Sequence, residues 1–352
     1  MKWGGAGKVP TNGPRLGLLV RLFTASEAGP DLLPPGAQTP KAGWLATTVA
    51  HEQFVGRLEL ASSLGLTGIE ITQAGQPSGA EYLVASSAAR DEFRELFAAQ
   101  DLSISAFNCS GMPLHPVTGK AHQALIRTTI LLAEQLGVRK IVTMSGVGGD
   151  GPKSTTINWA FMPWPDDMVA LQSRQWAECL AYWRDTAAFA ADHGIERIAL
   201  ELHPLHLVYN VPTLERLRSA IGPIIGATVD PSHLFWQSMD PVAVVKALGA
   251  AVHHVQLKDT QFVPGELALA GVLDSRPFSD PAHRAWIQRT IGRGHDAEFW
   301  RSFVDALRAI GYADFLSIEN EDPYASYEDG VREAEAFLRP LVVHEPSGSH
   351  AS

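Results

Sequence analysis

Cysteine is scarce: Cys109 and Cys179 are the only two in 352 residues. Two cysteines cannot build a disulfide framework, which favours a reducing, cytoplasmic compartment. No run of about 18 apolar residues occurs, so no membrane-spanning helix is expected. The opening stretch, MKWGGAGKVPTNGP, is rich in glycine and proline and has no apolar core, unlike a signal peptide. Positive charge is also short. Lys and Arg total 28 against 38 Asp and Glu, a formal charge of -10 with the two signs interleaved. That balance argues against a nucleic-acid or anionic-membrane surface. No Gly-rich dinucleotide fingerprint follows the first expected strand, no repeat of fixed period is present, and no low-complexity tract interrupts the chain.

What is present is an alternation of short apolar runs and helical periodicities. Strands are expected at Leu16 to Phe23, Gly68 to Thr72, Ser103 to Asn108, Lys140 to Ser145, Arg197 to Leu202, Gly226 to Asp230, His253 to Lys258 and Phe315 to Glu319. Helices are expected at Thr47 to Leu64, Ala88 to Ala99, His122 to Leu136, Ala170 to His193, Pro212 to Ala220, Pro241 to Leu248, Asp296 to Ile310 and Ser326 to Leu338. Gly65, Gly137 and Gly194 stand where three of these helices should stop. Repeated strand–helix alternation means a parallel sheet with helices outside, and eight such units point to closure. The expected fold is therefore α/β, a single-domain (β/α)8 TIM barrel over residues 16–340 with long βα loops. Residues 1–15 read as a loose arm, 28–43 as a Pro/Gly-rich loop and 341–352 as a disordered tail. A long connection from Gly146 to Met168, rich in Gly, Pro and Trp, reads as a lid or an interface. A second long loop precedes the helix at Asp296.

Active sites of such barrels lie at the carboxyl ends of the strands. Read in order, those ends carry Arg21, Glu70, Asn108 with His115 soon after, Met144, Glu201 with His203, Asp230 with His233, Gln256 with Lys258, and Glu319 with Glu321. Alone, an acid at a strand end is usually solvated or caps a helix. Three of them, Glu201, Asp230 and Glu319, converging on one rim would repel one another, and a divalent cation removes that repulsion. Alternation along HHVQLKD puts His254, Gln256 and Lys258 on one side, with His254 about 6.6 Å deeper than Gln256. Gln256 offers a neutral carbonyl oxygen; with three carboxylates it makes a hard, oxygen-rich set suited to Mn or Mg. Lys258 polarises an oxyanion or simply pairs with Asp259. His295, in GRGHD, reads as a loop residue beside Asp296, which should cap the next helix. Trp159, Trp164, Trp236 and Tyr209 are placed near the rim, where rings can stack on sugars; Trp176 and Trp300 fall inside helices and should be core.

The stretches ALELHP, VDPSHLFWQ, HHVQLKD, GRGHD and SIENEDP resemble the xylose isomerase-like barrel family of sugar isomerases and epimerases, from roughly Leu16 to Leu338. The loop motifs NCSGMPLHP and NWAFMPWP resemble a subgroup of it. The resemblance implies a divalent ion, most readily Mn with Mg or Co as alternatives, held at Glu201, Asp230, Gln256 and Glu319. This sequence departs from the family at Gln256, where His is usual in H-x-K-D. Three readings follow: Gln256 binds the ion through oxygen, three ligands remain with a water, or the site is dead and the protein is a binding module.

The resemblance further implies deprotonation of carbon next to a carbonyl, with the metal stabilising the enediolate. Glu201 and Glu319 would be the bases, and His203, His233, His115 and Lys258 candidates for acid/base or hydroxyl-holding roles. Isomerisation or epimerisation is one outcome. Elimination from a 3-oxo-glycoside, including cleavage of a C–C bond to an aromatic aglycone with help from a small partner subunit, is the other. A small sugar is the expected substrate, unphosphorylated because no phosphate-binding Gly loop is seen, and an oligomer is expected. A DNA-repair endonuclease on the same barrel is disfavoured by the charge of -10.

Overall fold

Strands buried on both faces need near-continuous apolar runs. A computed structural model, describing residues 13–21, 48–72 and 77–342, puts strands on those runs. In chain order they are β1 (Arg15–Arg21), β2 (Gly68–Thr72), β3 (Ser103–Asn108), β4 (Lys140–Thr143), β5 (Arg197–Glu201), β6 (Ile225–Val229), β7 (Val252–Leu257), β8 (Asp259–Phe262), β9 (Trp286–Arg289) and β10 (Phe315–Ile318). All but β8 and β9 close into one parallel barrel, in the order β1-β10-β7-β6-β5-β4-β3-β2. The expected (β/α)8 barrel is the observed one.

The helices around it are α1 (Thr48–Ser63), α2 (Pro77–Ala85), α3 (Ser87–Ala98), α4 (Gly119–Leu136), α5 (Asp166–Asp192), α6 (Val211–Ile221), α7 (Pro231–Phe235), α8 (Pro241–Leu248), α9 (Pro264–Ala270), α10 (Ala297–Ala309) and α11 (Tyr327–Val342). Local chemistry sets several of their ends. Gly137 closes α4 in the left-handed conformation at φ 74°. Asn210 and Thr213 form a reciprocal cap at the start of α6. Asp296 caps α10, accepting from the backbone N–H groups of Glu298 and Phe299. No described helix is long and apolar enough to cross a membrane.

The structure corrects the sequence reading in four places. Helix α2 was not expected; it begins at Pro77 and buries Ala80 and Leu83, three residues apart on one face. Helix α5 starts at Asp166, shortening the Trp-rich connection, which is fastened down by Gln175 Nε2 donating to Gly148 O and Asn158 O. The second long loop holds structure of its own: β8 and β9 pair antiparallel, with α9 between them. Arg15 pairs with Phe315 inside the sheet, and residues 341–342 belong to α11, so arm and tail are shorter than expected. Residues 1–12 and 343–352, Phe23 and the 28–43 loop lie outside the described residues.

Most buried apolar side chains lie in one cluster that includes the outward-facing strand residues and the helices. Inside the barrel, Ala106, Val142 and Ala199 form a separate small cluster. Their small volume leaves room for polar side chains higher in the barrel. Close packing also acts at β2, where a Cβ on Gly68 would sit 2.2 Å from the Phe315 ring. Replacing Gly68 with Ala is expected to destabilise the fold by about 1–3 kcal/mol. A urea midpoint unchanged from wild type would contradict that packing.

Candidate active site

Four strand ends bring charge to one rim. Lys258, just past β7, is buried; its Nζ lies 3.1 Å from Asp230 Oδ2, 3.2 Å from Glu319 Oε2 and 3.3 Å from Glu321 Oε2. The alternative pairing of Lys258 with Asp259 is not what forms. Asp230 ends β6 and caps α7, its Oδ1 accepting from Ser232 N at 2.8 Å. That turn carries His233 back over the site. His233 Nε2 is 3.1 Å from Glu201 Oε1 and 3.4 Å from Asp230 Oδ2. Asp230 Oδ2 is buried and accepts no well-aligned hydrogen bond, despite its nearness to Lys258 and His233.

The His203 ring centroid lies 4.0 Å from that of His233. His203 Nδ1 is 2.5 Å from Pro204 O, so this nitrogen carries the proton and Nε2 keeps its lone pair. Burial, followed by the charge of His233, lowers the His203 pKa to about 4, and the ring is neutral at neutral pH. His206, nearby, is occupied structurally: its Nδ1 accepts from Gly146 N at 3.0 Å.

The two expected bases are pushed apart in proton affinity. Burial works to raise the pKa of Glu201, but the hydrogen bond and charge of His233, with His203 and Lys258, prevail and hold it at about 2. Burial raises Glu319 as well, and there Lys258 is outweighed by burial together with Glu321, Asp230 and Glu201, so Glu319 sits at about 8. Burial opposes the charge on Lys258, yet its carboxylate neighbours raise its pKa well above the ordinary value.

Gln256 and His254 share the inward face of β7, as alternation requires, and both reach Glu70 of β2. Gln256 Nε2 donates to Glu70 Oε1 at 2.9 Å, and His254 Nε2 lies 2.8 Å from Glu70 Oε2. Asn108 Nδ2 donates to the same Oε1 at 2.9 Å. Gln256 Oε1 is buried without a hydrogen-bond partner.

Residues 58–341 match the xylose isomerase-like TIM barrel family. The chain belongs to that family. It is 35% identical over 310 residues to YfiH, an uncharacterized protein of Bacillus subtilis (strain 168), covering 86% of this chain and 99% of YfiH. Among solved structures, L-ribulose 3-epimerase superposes with a TM-score of 0.59 at 16% identity, over 94% of each chain. A xylose isomerase domain protein from Planctomyces limnophilus gives 0.59 at 14% identity, over 93% of this chain and 97% of that one.

A divalent ion, as the family resemblance implies, fits the donors at this rim. Glu201, His203 and His233 each offer one ligand atom, all within 4.8 Å of one another. Three carboxylates lie within 3.3 Å of one lysine and Glu201 stands beside His233; burial, together with this shortfall of positive charge, keeps Glu319 from ionising freely. Two imidazoles with carboxylates suit Mn, Co or Zn better than Mg. Of the four ligands expected from sequence, Glu201 is in this group and Asp230 touches it through His233. Glu319 is engaged by Lys258, and Gln256 by Glu70.

Other sequence candidates have structural work. His115 Nδ1 accepts from the backbone of Val117 and Thr118, at 3.1 and 3.2 Å, at the entry to α4. Asp259 is the hub of the GRGHD loop: its Oδ2 accepts from Gly292 N, Gly294 N and His295 N, and its Oδ1 is 2.7 Å from His295 Nδ1. A Cβ on Gly294 would sit 2.2 Å from Thr260 O, so glycine is required for that approach. His295 stacks on Phe235, with ring centroids 3.7 Å apart. Trp236 stacks on Trp286 of β9, while Trp159 packs edge-on to Tyr209 and against Phe161. Trp164 is exposed, and Trp176 and Trp300 are core, as expected. The sequence reading gave Glu70 no role and did not foresee Glu321 as a partner of Lys258. Both stood at strand ends, but their partners come from other strands.

These proton affinities have a sign that can be measured. Without an ion, Glu319 titrates at about 8 when folded against an ordinary 4.5, so folding takes up a proton between those values. Its contribution is complete below pH 4.5 and is lost as pH rises through about 8; Glu201, held at about 2, contributes above 4.5 and loses that contribution as pH falls. In chelator, Glu319→Gln is expected to flatten the decline of Tm between about pH 5 and about pH 8.5. A slope equal to wild type would contradict the elevated pKa.

Proposed function

We propose that this protein is a sugar isomerase or epimerase that moves a proton at carbon adjacent to a carbonyl, with a divalent ion as cofactor. The observation that carries the reading is the arrangement at one rim: Glu201, His203 and His233 offer ligand atoms within 4.8 Å of one another, and Lys258 lies 3.1 Å from Asp230 and 3.2 Å from Glu319. Two carboxyl groups that reach one rim from different strands can serve as base and acid on opposite sides of a substrate carbon. Membership of the xylose isomerase-like family supports the same reading.

Glu201, ionised and hydrogen-bonded by His233, takes the proton from carbon. The Lys258 ammonium faces the negative charge that then develops on substrate oxygen. Glu319, arriving from β10 rather than β5, delivers a proton from a different direction. The neutral His203 offers its Nε2 lone pair to the ion or to a sugar hydroxyl. Glu201, His203 and His233 would hold the ion, with Asp230 beside them; once bound it would polarise the carbonyl and lower the acidity barrier at the adjacent carbon. Manganese is the first ion to test, and an unphosphorylated sugar the first substrate class.

The test is solvent deuterium exchange into free ketoses and 3-oxo-glycosides with added Mn. Wild type is expected to exchange the proton next to the carbonyl. Glu201→Gln and Glu319→Gln are each expected to lower the rate by about 10²–10⁴-fold. Full exchange in either variant overturns the assignment of base and acid, and release of aglycone would assign the chemistry to elimination instead.

A further inference from the structure

Beneath the charged rim lies a second polar centre that the proposed reaction does not use. Glu70 is completely buried, and both of its oxygens are occupied: Oε1 by Asn108 Nδ2 and Gln256 Nε2, Oε2 by His254 Nε2. With its NH2 donating to Glu70 Oε1, the Gln256 amide turns its carbonyl oxygen away from that carboxylate. Asn108 is fixed in the same sense, its Oδ1 accepting from Ser110 N at 2.9 Å. Once turned away, Gln256 Oε1 is buried and has no hydrogen-bond partner.

Alternation places Gln256 one inward step above His254 and one below Lys258. Its β10 neighbour in register is Ser317, one inward step below Glu319. Gln256 thus stands along β7 between His254, which meets Glu70, and Lys258, which meets the rim carboxylates, with its unpartnered oxygen turned from Glu70. A buried carboxylate and two amides are a costly filling for a barrel interior compared with apolar side chains. An orienting task explains why polar groups are there.

We propose that Glu70 is a positioning residue that locks the Gln256 amide, so that its carbonyl oxygen is offered to the divalent ion at the rim. The inference rests on the ion assigned under the proposed function and adds the device that makes an amide serve where the family usually has an imidazole. Glu70 acts only through Gln256 and does not touch the ion.

The experiment is calorimetric titration of Mn into the full chain as wild type, Glu70→Gln, Gln256→Met and the double variant. Each single substitution is expected to weaken Mn binding by about 10–100-fold, as loss of a residue that orients a ligand does. If Glu70 works through Gln256, the double variant binds no more weakly than Gln256→Met. Losses that multiply, or unchanged affinity in Glu70→Gln, overturn the inference. Should Glu70→Gln fail to fold by circular dichroism, Glu70→Asp keeps the charge but shortens its reach; the same loss is expected, and unchanged affinity overturns the proposal. Wild type that binds no Mn overturns the metal assignment as well, whereas binding that is insensitive to these substitutions removes only the role of Glu70.

Discussion

The site depends on one imbalance of charge. Lys258 is a single buried ammonium with three carboxylates within 3.3 Å, and Glu201 adds a fourth acid close by. Taking that many like charges out of water is possible only if some are neutralised. Lys258 does part of this, the hydrogen bond between His233 and Glu201 helps, and proton retention by Glu319 does more. In the proposed reading the same imbalance favours a divalent cation. Charge repulsion read from sequence was thus the right pressure, although an internal lysine answers part of it.

The scaffold holds these groups with few degrees of freedom. Asp230 spends one oxygen capping α7 and leaves the other to the site, so a helix start and a functional carboxylate share one side chain. Asp259, next to Lys258, gathers the GRGHD loop through its backbone N–H groups and His295. The polypeptide on either side of Lys258 is therefore fixed, by β7 below and by this loop above. In such a frame the ammonium has one position, and the carboxylates are arranged around it.

Much of the architecture could be read directly. Apolar runs of strand length alternating with helical periodicity identified all eight barrel strands, because a strand buried on both faces leaves a strong local signature. The β8–β9 pair was missed for the opposite reason: partly buried, irregular and separated by α9, it leaves none. At the candidate site, Glu201, Asp230, His233, Glu319 and Lys258 were found by reading strand ends. His115 and Gln256 illustrate the limit. A histidine in a loop and a glutamine at a strand end look functional or inert depending on neighbours far away in the chain.

By itself the sequence determined the barrel, its strand order in the chain, the face on which chemistry collects and the residue types available there. Those follow from local periodicity and from the alternation of side chains along a strand, which need no knowledge of distant contacts. Only the tertiary structure decided which acid Lys258 neutralises, that Glu70 grips Gln256 from 186 residues away, and that His203 and His233 stand side by side. Closure of the cylinder brings β2 against the side chains of β7, and β5 against α7. Electrostatic partnership in a buried site is set by those distances, to which a linear sequence gives no access.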